Sequence, residues 1–89
     1  MSAAAAAVSI ARRYLFNKFK EHNAYSRENA ISYDKLELNH RKYRMAQRLF
    51  TNYQSKNVIK EYNGRYWLDK QALDNYNYNA MKIVLLICG

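Results

Sequence analysis

Residues 39–69 read NHRKYRMAQRLFTNYQSKNVIKEYNGRYWLD, and the change of character within that stretch decides the fold. From Asn39 to Lys60 there are six basic residues and no acidic one. At roughly 100° per residue, Arg41, Arg44 and Arg48 fall within an arc of about 60° on one side of a helix, flanked by Gln47, Thr51 and Asn52. Tyr43, Ala46, Leu49, Phe50 and Tyr53 take the other side. The pattern predicts an amphipathic helix from His40 to about Gln54, N-capped by Asn39. A helix with aromatic and aliphatic groups on one face and guanidinium and amide groups on the other suits a DNA groove, although many charged faces are merely solvated.

After Ser55, Lys56 and Asn57 the residue types turn to strand formers. Val58, Ile59, Tyr62, Tyr66, Trp67 and Leu68 flank Asn63-Gly64, a pair that tolerates the positive φ angles of a type I′ hairpin turn. The expected strands are Val58–Tyr62 and Arg65–Leu68, with Tyr66 and Leu68 on the inward face and Arg65 and Trp67 on the other. Asp69 then caps a final helix that carries Ala72, Leu73, Tyr76 and Ala80 and runs through Met81 and Lys82 into the apolar Ile83–Cys88.

Upstream, Val8, Ala11, Leu15 and Phe19 recur at three- and four-residue spacing. They predict a helix from Ala4 to about His22, with Arg13, Asn17 and Lys20 toward solvent. Ser26 stands at the N-cap position of a shorter helix expected from Arg27 to about Leu36. There is no proline and no repeat, so 1–89 reads as one domain, with its core at about 8–75 and a helical, apolar C-terminal tail at 76–89. Three helices, a two-stranded hairpin and a C-terminal helix, with the third helix basic, make an α+β, mainly helical chain in the order of a winged helix-turn-helix.

The composition narrows the function. The net formal charge is +8, and it is concentrated: residues 1–20 carry +4, 21–38 carry −2, 39–60 carry +6 and 61–89 are neutral. Such a field favours an anionic partner, either nucleic acid or an acidic membrane surface. Cys88 is the only cysteine, which rules out an intramolecular disulfide, and His22 and His40 lack partners at metal-ligand spacing. Gly64 and Gly89 are the only glycines, so no glycine-rich phosphate loop exists, and no cofactor is expected. No nucleophile–base constellation or carboxylate pair stands at a telling position, so the expected role is not enzymatic.

An intracellular location is expected because no apolar secretory block opens the chain. The alanine-rich, acid-free Met1–Lys20 also fits a mitochondrial presequence, but the same stretch has a use as the first core helix. Three uses of the apolar tail stay open. It completes the core, it makes a homodimer contact with Tyr76 through Ile83, Val84 and Leu85, or it begins a longer membrane segment, since six to eight residues fall short of the roughly 20 that span a bilayer.

Three segments also resemble a known group. Ala24-Tyr25-Ser26-Arg27-Glu28-Asn29-Ala30, Val58-Ile59-Lys60-Glu61 and Gly64-Arg65-Tyr66-Trp67-Leu68-Asp69 are similar to small winged-helix proteins whose hairpin reads G-R-Y-Y/W-L-D, over roughly residues 8–75. Those proteins are frequently of unassigned biochemical role. Some continue into a run of arginines and an apolar segment; here Asn75–Asn79 and the single Lys82 replace the arginines. The resemblance implies that the helix from His40 enters the major groove of double-stranded DNA, as in transcriptional regulators. Arg41, Arg44, Gln47 and Arg48 would then be candidates for contact, with Arg41, Arg44 and Asn39 or His40 at base edges and Arg48, Lys56 and Lys60 at phosphates. Asn63, Gly64 and Arg65 would form the wing tip. Winged helices also act as protein-interaction or dimerisation modules, which is the competing expectation.

Overall fold

The computed structural model of the chain describes residues 3–77, and its first helix, α1, spans Ala3–Glu21. Ala11, Leu15 and Phe19 are buried on its inner face, Val8 is half-buried, and Arg13, Asn17 and Lys20 face solvent, as their spacing predicts. The helix stops at Asn23, whose φ is +49°. There the Asn23 N–H donates to the Lys20 carbonyl at 3.0 Å and the Ala24 N–H to the Phe19 carbonyl at 2.8 Å. This is the bond pair of a Schellman motif, and the buried Phe19 and Ala24 stand at its hydrophobic-contact positions. The arginine helix, α2 (Arg44–Ser55), ends in the same way. Asn57 has φ +62°, its N–H donates to the Gln54 carbonyl, and the Val58 N–H donates to that of Tyr53. Asparagine enters the left-handed region more readily than most residues, so both stops form without glycine.

Between the two helices the expected helix Arg27–Leu36 does not form. The chain instead makes a 3-10 turn at Arg27–Asn29, a two-residue strand β1 at Ile31–Ser32, and a second 3-10 turn at Tyr33–Leu36. Ser26 stands at the N-cap position of the first turn but makes no side-chain cap bond. Angular spacing explains the break. Ala30, Ile31 and Leu36 are all buried, and on one helix they would point roughly 100° to 140° apart, leaving no common inner face. An extended step at Ile31 turns all three inward.

The hairpin forms where the Asn-Gly pair predicts it, with β2 at Ile59–Tyr62 and β3 at Arg65–Leu68. Asn63 and Gly64 have φ of +54° and +77°, the paired positive values of a type I′ turn. The sheet, however, has three antiparallel strands rather than two, in the order β1-β3-β2. β1 pairs Ile31 with Tyr66 and Ser32 with Arg65, covering the edge of β3 that a lone hairpin would leave with unpaired backbone groups. A Cβ at Gly64 would meet nothing within 4 Å, so Gly64→Ala is expected to cost only its conformational strain, about 1–2 kcal/mol. Thermal unfolding should show a fall of about 4–8 °C for each kcal/mol; an unchanged melting temperature would mean that the turn has relaxed out of type I′.

One core joins these parts. Leu15, Phe19, Leu36, Leu38, Val58, Ile59 and Leu68 are nearly or fully inaccessible. The inner face of the sheet meets α2 where the Tyr66 ring lies 5.0 Å from that of Phe50, with Tyr33 edge-on to both. Glu37 ends the second 3-10 turn at φ +53°, where the Tyr14 hydroxyl donates to its carbonyl at 2.8 Å and Lys18 pairs with its carboxylate at 3.2 Å. The described chain is thus α+β and mainly helical, with backbone bonds from Leu68 to Ala24 and from Asp69 to Val58 tying the strands to the loops that precede them.

A third helix, α3, occupies residues 70–77. Asp69 caps it as expected: Oδ1 accepts from the Ala72 N–H at 3.0 Å, and Oδ2 pairs with Lys60 at 2.7 Å. Ala72, Leu73 and Tyr76 pack on the core, and the Tyr76 ring lies 5.9 Å from that of Tyr53. Ala80 and the tail Ile83–Cys88 lie outside the described residues. Lys60, followed by the Ala72 N–H, holds the Asp69 carboxyl below the ordinary value of 3.8. Its folded pKa is therefore depressed, so its stabilisation is complete above the unfolded value and is lost as pH falls through the folded one. Asp69→Ala is expected to cost about 1 kcal/mol above pH 5, mostly from the cap because Lys60 is well exposed. The difference should shrink below about pH 4. Urea unfolding of both proteins at pH 7 and pH 3 checks this, and an equal gap at both pH values would remove the charge from the account.

Candidate nucleic-acid interface

The arginine stripe begins on a 3-10 turn, Arg41–Tyr43, and continues into α2 without a gap. Residues three apart eclipse in a 3-10 helix, so Arg41 and Arg44 line up there as they would at the edge of an α-helical stripe. The N-cap of this segment is His40 rather than Asn39: the His40 Nδ1 accepts from the Lys42 N–H at 3.1 Å. An N-cap lies immediately before the first turn, and the turn starts one residue later than Asn39 requires. Asn39 and His40 are both exposed.

Arg41, Arg44 and Arg48 are exposed and make no ion pair among the described residues. Arg44, Arg48 and Thr51 border a shallow open groove together with Gln47. Behind them Ala46, Phe50 and Tyr53 are buried and Leu49 is half-buried, so the packing of the inner face fixes the direction of the outer one. Tyr43 is held from below by Tyr14, the rings stacking at 4.3 Å and 17°. Burial, with the neighbouring Tyr43, pushes the Tyr14 phenol well above its ordinary pKa; Tyr43 is lowered, chiefly by the Tyr14 hydroxyl.

Two of the expected contact residues have other partners. The Gln47 amide nitrogen donates to the Leu38 carbonyl, which fastens the loop before the 3-10 turn to α2. Lys60 is paired with Asp69. Lys56 is exposed at the C-cap of α2, where a cation also favours the helix dipole. Arg65 is exposed beside Asn63 and Gly64 at the hairpin tip. β1 pairs with the first two residues of β3, so only the two-residue turn projects beyond the sheet.

The fold adds residues at this tip that had no functional reading. Arg27 lies with its guanidinium 3.5 Å from the centroid of the Tyr62 ring, and Tyr62 is the cross-strand partner of Arg65. Arg27 and Tyr62 are 35 positions apart in the chain, and no periodicity links them; only the pairing of β1 with β3 brings them together. Lys70 similarly lies 3.9 Å from the Tyr25 ring centroid. Among the described residues no group of three or more histidine, cysteine or acidic side chains could hold a metal ion. No helix among them is long and apolar enough to cross a membrane. Compared with protein-family models, curated proteins and solved structures, the chain finds no match in any of the three.

Proposed function

We propose that this chain is a winged-helix domain that binds double-stranded DNA and carries out no catalysis, a chemistry suited to transcriptional regulation. The observation that carries the reading is the exposed trio Arg41, Arg44 and Arg48, without an ion pair among the described residues, on a 3-10 turn and helix whose opposite face is locked into the core. The element order supports it. A helix, a short strand, a helical turn, the arginine helix and a hairpin, with the sheet ordered β1-β3-β2, is compatible with a winged-helix-like layout. The G-R-Y-W-L-D hairpin agrees with that reading.

In this reading α2 lies in the major groove. Arg41, on the 3-10 turn that leads into it, and Arg44, its first residue, reach guanine O6 and N7, with Asn39 and His40 beside them. Arg48 and Lys56 meet phosphates, and Arg65 contacts the flanking backbone. Gln47 acts through its bond to Leu38 as a positioning residue for the turn that carries Arg41. Lys60 meets a phosphate only by giving up its pair with Asp69.

The test is duplex binding followed by fluorescence anisotropy across a salt series, for the intact chain and for Arg41→Ala/Arg44→Ala/Arg48→Ala. Four to six phosphate contacts would give a log–log slope of about −3.6 to −5.4, at about −0.9 per phosphate. Absence of binding at low salt would overturn the reading. The fold would then be a scaffold for protein contacts, for which the surface is the apolar groove between α1 and the start of α2, where Ile10 is 68 % exposed beside Tyr14, Tyr43 and Met45.

A further inference from the structure

We infer that Arg27, held flat against Tyr62, joins Arg65 at the hairpin tip to form a phosphate clamp that grips the DNA backbone next to the segment read by α2. This rests on the proposed duplex binding and adds to it a contact surface drawn from a different part of the chain.

The two guanidinium groups reach the tip from separate elements. Arg27 begins the 3-10 turn that precedes β1, and Arg65 begins β3. Antiparallel pairing places Tyr62 and Ser32 on either side of Arg65. Side chains alternate across a strand, so these three share the outer face of the sheet, away from the core that Tyr66 and Leu68 enter. Arg27, Glu28, Tyr62, Asn63 and Arg65 line one open hollow there.

Neither arginine has an acidic partner within ion-pair distance among the described residues, although Glu28 lines the same hollow. Two unpaired guanidinium groups therefore border a concave, solvent-open surface, the arrangement that takes a phosphate through parallel N–H···O bonds. Tyr62 has a separate role. It is 50 % exposed, yet its ring is covered on one face by Arg27 at 3.5 Å. Stacking fixes the plane of the guanidinium and limits the rotamer freedom that phosphate binding would otherwise have to remove. Tyr62 is thus a positioning residue for Arg27. Glu28 sets the opposing charge, so the clamp is weaker than two free arginines and is strengthened when that carboxylate is removed.

The test is the duplex-binding salt series with six further variants of the whole chain, including Arg27→Ala with and without Tyr62→Ala. Arg27→Ala/Arg65→Ala is expected to weaken binding about tenfold at low salt and to flatten the slope by about 0.9 to 1.8, one to two phosphates. Tyr62→Phe keeps the ring and should bind as the intact chain does. Tyr62→Ala should lose about threefold, but nothing further once Arg27 is already alanine, because it acts through that side chain. Glu28→Gln should tighten binding about twofold to threefold. All substituted positions are exposed, and an unchanged melting temperature for each protein confirms that only the surface has changed. If the α2 triple variant loses binding while Arg27→Ala/Arg65→Ala keeps both affinity and slope, the clamp is overturned and the α2 reading stands. If the intact chain binds no duplex, both fall together.

Discussion

Replacing Arg41, Arg44 and Arg48 together by alanine is expected to lower duplex affinity at low salt by about two to three orders of magnitude, and to leave the domain folded. A hydrogen bond to a charged group contributes about 1.5–3 kcal/mol. Three of them add incompletely within one interface, so a net loss of about 3–4 kcal/mol is the reasonable expectation, which corresponds to that range of affinity. Folding should survive because all three side chains are exposed and make no ion pair among the described residues. Removing three like charges from a chain of net charge +8 also relieves self-repulsion.

The salt slope separates the roles within the trio. A residue on a phosphate flattens it by about 0.9; a residue that reads a base lowers affinity for the preferred sequence and leaves non-specific binding nearer to its original value. Arg48→Ala should act mainly in the first way and Arg44→Ala in the second. Arginine-to-lysine changes sharpen the distinction, since lysine keeps the charge but not the two-pronged geometry. Arg48→Lys should therefore be nearly silent and Arg44→Lys should not. Full retention of binding by the triple alanine variant would move the interface away from α2 altogether.

The legible parts of the chain are those whose signal is local. The spacing of Ala11, Leu15 and Phe19 marks α1, the arginine stripe with Ala46, Phe50 and Tyr53 behind it marks α2, and Asn63-Gly64 marks the hairpin turn and both strands within a residue. Asp69 likewise declares its cap, because the acceptor and the N–H it serves are three positions apart. β1 shows the opposite case. Two residues give no periodicity to read, and Ile31 is extended because Tyr66, 35 positions away, supplies the partner strand. Locally, Arg27–Leu36 has the composition of a short helix; the pairing with β3 overrides it.

The candidate site divides along the same line. Which face of α2 carries the arginines follows from angular spacing alone, whereas the partners of Gln47 and Lys60 are tertiary. Leu38 presents its carbonyl to Gln47 only because the loop folds back over α2, and Asp69 meets Lys60 only because β3 returns alongside β2. Arg27 is hidden for the same reason: its neighbour Tyr62 belongs to the far strand of the hairpin.

Phe19→Ala is expected to be the most destabilising of the changes considered, at about 3–5 kcal/mol for an aromatic ring removed from a closed core. The ring is fully inaccessible and belongs to the last turn of α1, where the Phe19 carbonyl also accepts the Ala24 N–H that closes the Schellman motif. The carbonyl of Ala24 in turn accepts from the Leu68 N–H. A cavity at Phe19 therefore opens where the helix end, the following loop and the last strand meet, and the backbone bonds among them limit how far the site can collapse. A domain of this size has a total stability of only about 4–13 kcal/mol, so the substitution removes a large share of it. At about 4–8 °C per kcal/mol, the melting temperature should fall by at least about 12 °C, with folding lost at 37 °C if the parent lies near the lower limit. Ile10→Ala, in the same helix but 68 % exposed, should change stability by less than about 0.5 kcal/mol. Chemical denaturation of the two variants side by side measures the contrast. A small effect at Phe19 would mean that α1 is held by its outer contacts rather than by the core, and the direction assigned to the arginine face of α2, which packs against the same core, would lose its foundation.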